Sequence, residues 1–425
     1  MKNYKDRDKK HLWHPLTQHG LNPDHLPLVR ARGSYLYDDK GKAYIDGISS
    51  WYTCMYGHCN PEITSRVKQQ LDQLDQVVFS GFTHPPAIEL SEKLVEILPG
   101  GISKIFFSDN GSTSVDVAIK MALQYHFNRG EKRSKIVALE NAFHGDTFGA
   151  MSVSGLSVYN GPFEDFLLEI ERIPVPNDLN MDALVMRFRQ ILEDEDVAAF
   201  IFEPLVQGAA AMHMYPARHL EVLMELARSH GALTIADEVM TGFGKTGRNF
   251  ASDYLKEGPD IICLSKSLTA GVAPMALTCC SQNVFDAFCD KEVSKGFFHG
   301  HTYSANPLAC AAALAGMDLL ATEAIQDSIQ RIAERHLQFE AEVKHHPMVK
   351  STRSLGVIFA LDLDIETERY GNLRDRLYRF FMDQGVFLRP LGNTIYLLPP
   401  YTIAEQELTL LYSSILNCLE MLSHE

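Results

Sequence analysis

Ala232-Leu233-Thr234-Ile235-Ala236-Asp237-Glu238-Val239 and, after a glycine-rich loop, Pro259-Asp260-Ile261-Ile262-Cys263-Leu264-Ser265-Lys266 decide how the chain folds. Each is a short apolar run that stops abruptly at a charge, and the first follows a helix-like segment ending at Gly231. Apolar runs bounded by turn signals read as strands buried in a parallel sheet. Ligands of such sheets lie in the crevice beyond the carboxyl ends of the strands. The pattern therefore predicts an acid, Asp237, and an amine, Lys266, facing one crevice from two strands.

That pairing suits an aldehyde cofactor built on a pyridine ring. A free lysine, with a pKa of ~10.4, is a poor nucleophile at neutral pH, yet in an enclosed site it bonds covalently to an aldehyde. A buried carboxylate opposite the ring nitrogen favours its protonated form. The ring then withdraws electrons as the substrate loses its α-proton, and Lys266 is placed to shuttle that proton. A solvated acid and base at two strand ends would read the same way locally, so the rest of the chain has to decide.

Working outward, 425 residues suffice for a large α/β unit with a smaller appendage, and 46% apolar content supplies the core. With 39 basic against 54 acidic residues, net −15, the balance argues against nucleic acid and anionic membranes. The eight cysteines show no paired metal spacing and read as reduced core thiols of a cytoplasmic protein. The charged opening Met1 to Lys10 leads into no apolar signal region, and no apolar run approaches membrane-spanning length.

Upstream, Leu28 to Tyr37 and Lys42 to Ile45 predict a hairpin about Asp38-Asp39-Lys40-Gly41, followed by the aromatic pair Trp51-Tyr52. Two adjacent rings among small residues serve either as core or as a flat wall over a ligand. A helix is expected from Pro85 to about Leu98, then a strand, Lys104 to Phe107. Next come Gly111-Ser112-Thr113-Ser114 and a helix stopping at Gly130. Strand, Gly/Ser turn and helix start make an anion site, although a plain helix cap uses the same residues. The strand Lys135 to Leu139 leads to Phe143-His144-Gly145, and Ala198 to Phe202 ends at Glu203-Pro204. Strands alternating with helices in this way give βαβ units.

Gly242-Phe243-Gly244-Lys245-Thr246-Gly247 imitates a nucleotide motif, but Val239 stands where a P-loop needs glycine, and no helix pattern follows directly. His299 and His301 lack a third ligand nearby, so no metal is expected. After Asn306-Pro307, which should open an Ala-rich helix, residues 319–425 read as a small α+β unit. Within it Arg389, among apolar residues and prolines, is suited either to carboxylate capture or to a surface ion pair.

In order along the chain, these features resemble the class III (ω-amino acid) branch of the PLP-dependent aminotransferases of fold type I. The likeness runs nearly the whole length. It is carried by His14-Pro15, Ser49-Ser50-Trp51, His144-Gly145-Asp146-Thr147-Phe148-Gly149-Ala150-Met151-Ser152, Asn306-Pro307-Leu308-Ala309-Cys310-Ala311 and Arg389-Pro390. The resemblance implies an α/β fold with a mostly parallel central sheet in a large cofactor domain, residues 51–318. The small α+β domain would come from both chain ends, 1–50 and 319–425. It implies pyridoxal 5′-phosphate (PLP) on Lys266, with Asp237 at the ring nitrogen. Gly111, Ser112, Phe143, His144, Glu203, Val239, His301 and Thr302 would complete the cofactor site, and Leu16, Trp51, Tyr52, Phe143, Gly300 and Arg389 would contact substrate. A homodimer is implied, with Gly300 to Thr302 reaching the partner's site. So is a ping-pong exchange between a small-molecule amine donor and a keto-acid acceptor.

Leu16, Phe143, Tyr52, His301 and Lys245 depart from the family's tyrosine, tyrosine, tryptophan, proline and arginine at these positions. Leu16 and Phe143 remove hydroxyls from the pocket, but stacking needs only the ring. Most of these motifs resemble the biotin-pathway branch, which implies S-adenosylmethionine as donor, whereas His299 to Tyr303 resembles a sub-branch that uses lysine. Another ω-amino acid or diamine aminotransferase is the competing enzyme, and an inactive binding protein of the same fold the competing non-enzyme. The latter has no need to keep both Asp237 and Lys266.

Overall fold

The computed structural model describes residues 4–21, 24–155, 160–194, 196–369 and 371–424. Its centre is a seven-stranded sheet. From one edge to the other the strands are Ile102–Ser108, Ala276–Ser281, Ile261–Leu264, Leu233–Asp237, Val197–Phe202, Lys135–Leu139 and Ile170–Ile173. Only Ala276–Ser281 runs antiparallel to its neighbours. The strands Val197–Phe202, Leu233–Asp237 and Ile261–Leu264 are buried at every position, as strands covered on both faces must be. One cover is the helix Gly111–Asn128, whose Val115, Ala118, Met121, Ala122 and Tyr125 are buried. The Ala-rich helix Pro307–Leu320, capped by Asn306, is buried almost all round, its small side chains letting neighbours close in.

The two chain ends build the rest. Leu28–Arg32, Tyr35–Asp38 and Ala43–Asp46 form a meander, and Val386–Phe387 adds to it in parallel. The first of the expected hairpin strands is thus two strands. Gly33, at φ 57°, turns the chain inside the run read as continuous. Val349–Leu355, Ile358–Leu363 and Thr394–Leu397 make a three-stranded antiparallel sheet with the helices Glu323–Val343, Asn372–Asp383 and Glu405–Ser423 beside it. Among the described residues no single helix is long and apolar enough to cross a membrane.

In this C-terminal part His336 is fully buried, bonded through Nδ1 to the Tyr412 hydroxyl at 2.8 Å and through Nε2 to the Val357 carbonyl at 3.1 Å. Burial drives its pKa down to about 3 against the Val357 bond that raises it. Between that value and the ordinary 6.5 the unfolded chain binds a proton that the folded chain refuses, so stability is lost as pH falls through this window. The loss approaches about 1.4 kcal/mol per pH unit. Urea midpoints at pH 7 and pH 4.5 should therefore differ less in His336→Gln than in the parent. An unchanged difference would acquit His336.

Candidate active site

Asp237 and Lys266 meet the crevice from adjacent strands. Asp237 is the last residue of its strand and pairs in register with Cys263 of the parallel neighbour. Three residues on, Lys266 opens a short 3₁₀ turn with a left-handed backbone, φ 47°. Asp237 is buried and immobilised at both oxygens. Oδ1 accepts the Val239 N–H at 3.0 Å, and Oδ2 lies 2.7 Å from Nδ1 of buried His144. Nε2 of His144 has no hydrogen-bond partner among the described residues. The Lys266 ammonium is disfavoured by burial, which lowers its pKa although Asp237 and Glu203 pull the other way. Its Nζ lies 5.2 Å from the centroid of the Tyr52 ring.

Glu203, just past the end of the strand Val197–Phe202 on the other side of the Asp237 strand, is buried and bonds two loops. Its carboxylate accepts the Phe143 N–H at 2.9 Å and the Gly208 N–H at 3.1 Å. Burial raises its pKa to about 7, with His144 and the two N–H groups opposing and Asp237 reinforcing the rise. Phe143 is thereby fixed by its backbone; it is half-buried and borders a cavity of about 550 Å³ whose lining, Asn141, Asn160 and Arg369 among it, includes neither Asp237 nor Lys266.

The anion loop is built by close approach. Asn110 caps the helix Gly111–Asn128, its side chain accepting from Thr113 and its carbonyl from Ser114. The N–H groups of Gly111 and Ser112 remain as outward donors of the first turn. A Cβ on Gly111 would come within 2.8 Å of Val239 Cγ1, so only glycine lets this loop lie against the end of the Asp237 strand. Gly145, at φ 135°, leaves room for Ser112, whose Oγ accepts the Thr147 N–H at 2.9 Å. Gly111, Ser112, Val239, Phe143, His144, Glu203, Asp237 and Lys266 thus converge.

The aromatic pair sits on an uncommon backbone. Ser49, Ser50, Trp51 and Tyr52 have φ of 48°, 47°, 66° and 69°, one left-handed turn without a glycine. Such a turn costs about 1–2 kcal/mol per residue. Trp51 stays 41% exposed, its ring 4.8 Å from the guanidinium carbon of Arg389, while Tyr52 is buried and donates to the Tyr396 hydroxyl at 3.0 Å. The structure therefore joins Trp51 to Arg389, and Tyr52 to Lys266.

Gly300, His301 and Thr302 lie at the sheet edge, with His301 Nδ1 3.6 Å from Asp109, two residues before Gly111. They neighbour the anion loop of their own chain and make no described contact with Lys266. Leu16 is exposed in the opening segment, also without such a contact. One trio of potential metal ligands occurs among the described residues, Asp8, His14 and His25. The two imidazoles stack at 3.6 Å and 15°, so their in-plane lone pairs do not converge on one ion.

Sequence reasoning missed several members. Tyr396 reaches Tyr52 from 344 residues away, and the support under the left-handed turn combines nearby Asp46 with a Leu398 carbonyl 349 residues from Ser49, so no short pattern announces either. Lys245, from the nucleotide-like decoy, is fully buried and donates to the Gly242 carbonyl at 2.8 Å. Burial holds its pKa far down, helped by the charge of Lys266.

These residues fit a phosphorylated pyridine aldehyde. Buried Asp237 offers an anion backed by a histidine with a spare ring nitrogen, Lys266 offers an amine of lowered pKa, and the glycine-lined helix start offers N–H donors. Comparison with known proteins agrees. Residues 17–419 match the family model described as aminotransferase class-III. The adenosylmethionine-8-amino-7-oxononanoate aminotransferase of Synechococcus elongatus is 43% identical over 96% of this chain and 98% of its own. That of Geobacter sulfurreducens is 37% identical over 96% and 95%. The crystal structure of the same-named enzyme from Methanocaldococcus jannaschii superposes with a TM-score of 0.93 at 31% identity, covering 98% of both chains. An omega transaminase of Pseudomonas jessenii, solved with PMP, gives 0.93 at 28% identity over 98% and 97%. An acid and an amine at neighbouring strand ends, a glycine-lined helix start and a match along nearly the whole sequence lead to one conclusion: the chain belongs to the class III aminotransferases.

Proposed function

We propose that the protein aminates 8-amino-7-oxononanoate to 7,8-diaminononanoate, the transamination step of biotin biosynthesis, with S-adenosylmethionine as amino donor. The chemistry rests on one observation: Asp237 ends one strand and Lys266 opens the turn after its parallel neighbour, the carboxylate locked by His144 and Val239 and the amine held at a lowered pKa. The choice of acceptor and donor rests on the shared name of relatives 43% and 37% identical to this chain.

PLP would be held by Lys266, by Asp237 at its ring nitrogen, by the Gly111 and Ser112 N–H groups at its phosphate, and by the Phe143 ring across its face. Bound there, it supplies a sink for the electrons released when the substrate loses its α-proton. Asp237 keeps a proton on the ring nitrogen, and His144 keeps Asp237 in place. Lys266 would take and return the α-proton, a role its lowered pKa favours. Glu203 fixes the Phe143 backbone, and Val239 walls the anion loop. Trp51, Tyr52 and Leu16 would flank the acceptor chain, with Arg389 on its carboxylate. His301 and Thr302, with Gly300, would close the same site in a partner subunit of a cytoplasmic homodimer.

A second reading keeps the acceptor and takes lysine as donor, prompted by the likeness of His299-Gly300-His301-Thr302-Tyr303 to a sub-branch that uses lysine. Mixing the yellow holoenzyme with single amines and following its visible spectrum decides. Conversion by S-adenosylmethionine, and not by lysine or ornithine, is the expected result. Conversion by ornithine or a diamine alone, with 8-amino-7-oxononanoate inert as acceptor, would overturn the assignment within the family.

A further inference from the structure

The left-handed turn Ser49–Tyr52 is held from below by a buried group that the reaction itself does not use. Asp46 ends the strand Ala43–Asp46 and is fully buried. Its Oδ2 accepts the Ser50 hydroxyl at 2.7 Å and lies 2.8 Å from His58 Nε2, while Oδ1 faces the Ile48 N–H at 3.3 Å. The turn closes on itself through Tyr52 N–H to Ile48 O and Thr53 N–H to Ser49 O, both 2.9 Å, and Ser49 Oγ donates to Leu398 O at 2.8 Å. Four non-glycine residues with positive φ relax to the ordinary basin unless their surroundings hold them. Here one carboxylate fastens the second residue of the turn.

The same residue sits beside Arg389. Asp46 pairs in register with Phe387, and the Gly47 N–H donates to the Phe387 carbonyl at 3.1 Å, two residues before Arg389. Trp51 and Arg389 therefore reach their 4.8 Å contact from a single junction. Burial opposes a charge on His58, yet its bonds to Asp46 and Cys54 outweigh that and push its pKa up to about 10. A cationic His58 strengthens the acceptor bond to a carboxylate.

We infer that Asp46, with Ser50 and His58, is a positioning group that sets the Trp51–Arg389 wall and places Tyr52 beneath Lys266. It touches neither substrate nor cofactor and acts by fixing the backbone that carries those that do. The inference rests on class III chemistry and on the proposed substrate contacts of Trp51 and Arg389, not on the particular acceptor.

The chain has two tryptophans, Trp13 and Trp51, so a Trp13→Phe holoenzyme reports on Trp51 alone. In that background Ser50→Ala removes one bond from the carboxylate, and Asp46→Asn removes its charge. Both are expected to shift Trp51 emission to the red and to increase its quenching by acrylamide. The KM for the acceptor used by the parent should rise about tenfold, the worth of one hydrogen bond to a charged group, with a smaller change in kcat. Unchanged emission and KM in folded, yellow variants would overturn the inference, as would an equal loss in kcat and kcat/KM without an emission change. If Asp46→Asn fails to fold, Ser50→Ala decides alone. The fluorescence holds whatever the acceptor is, so a parent enzyme that ignores 8-amino-7-oxononanoate removes only the acceptor assignment.

Discussion

Lys266→Ala is expected to lose turnover by more than about 10⁴-fold, because one deletion removes both the covalent anchor and the proton shuttle. The fold should survive. Lys266 is half-buried and its charge is already disfavoured there, so truncating it leaves no buried partner stranded. Alanine at φ 47° is no more strained than the lysine it replaces. Circular dichroism should match the parent, and PLP should still bind, retained by the Gly111–Ser112 helix start without a covalent link. Borohydride treatment followed by peptide mass analysis should place the cofactor on Lys266 in the parent and on no peptide in the variant. Lys266→Arg makes the control for charge. A guanidinium keeps the positive charge and the reach but stays protonated, so it should be as inactive as alanine. Turnover by either variant within tenfold of the parent would mean that another amine carries the chemistry. Lys245, fully buried and close enough for the charge of Lys266 to lower its pKa, would be the one to test next.

The parts legible in the sequence were those specified over a few residues. The runs ending at Asp237 and Lys266 are buried throughout, and burial on both faces is what erases strand alternation and leaves a plain apolar run. Asn306 and Pro307 announced their helix because caps are local chemistry. The convergence of Gly111 with Val239 was not local. It depends on a helix start and a strand end 128 positions apart coming within the radius of one methyl group. The left-handed turn was hidden more deeply. Ser49-Ser50-Trp51-Tyr52 contains no glycine to signal positive φ, and the partners that hold it include a carbonyl 349 residues away. The burial of Lys245 was hidden for the same reason. Nothing in Gly244-Lys245-Thr246-Gly247 marks a core position, and only tertiary packing takes that lysine out of water.

Asp237→Asn tests the other half of the pair, and the expected result is a fall in kcat of about 10²–10⁴ with little change in KM. Two bonds hold the carboxylate. Oδ1, which takes the Val239 N–H, survives as the amide oxygen of asparagine. Oδ2, 2.7 Å from His144 Nδ1, becomes an NH₂, so His144 must turn that nitrogen into an acceptor. Its tautomer can change because Nε2 has no fixed partner among the described residues. The variant therefore folds with its loop geometry kept, and what disappears is a buried negative charge. Losing one member of a buried charge pair costs about 3–5 kcal/mol, which at about 1.4 kcal/mol per decade sets the range of the fall in kcat. KM stays near the parent value because the ring-nitrogen charge matters most as the α-proton departs, an interaction stronger in the transition state than in the bound substrate. His144→Gln separates charge from orientation. It removes the imidazole but leaves the carboxylate, so its loss should be smaller, about tenfold for one hydrogen bond. If the two variants fell equally, Asp237 would be acting through its placement by His144 and not through its charge. If Asp237→Asn kept kcat within tenfold of the parent, the carboxylate would have no part in holding the ring nitrogen.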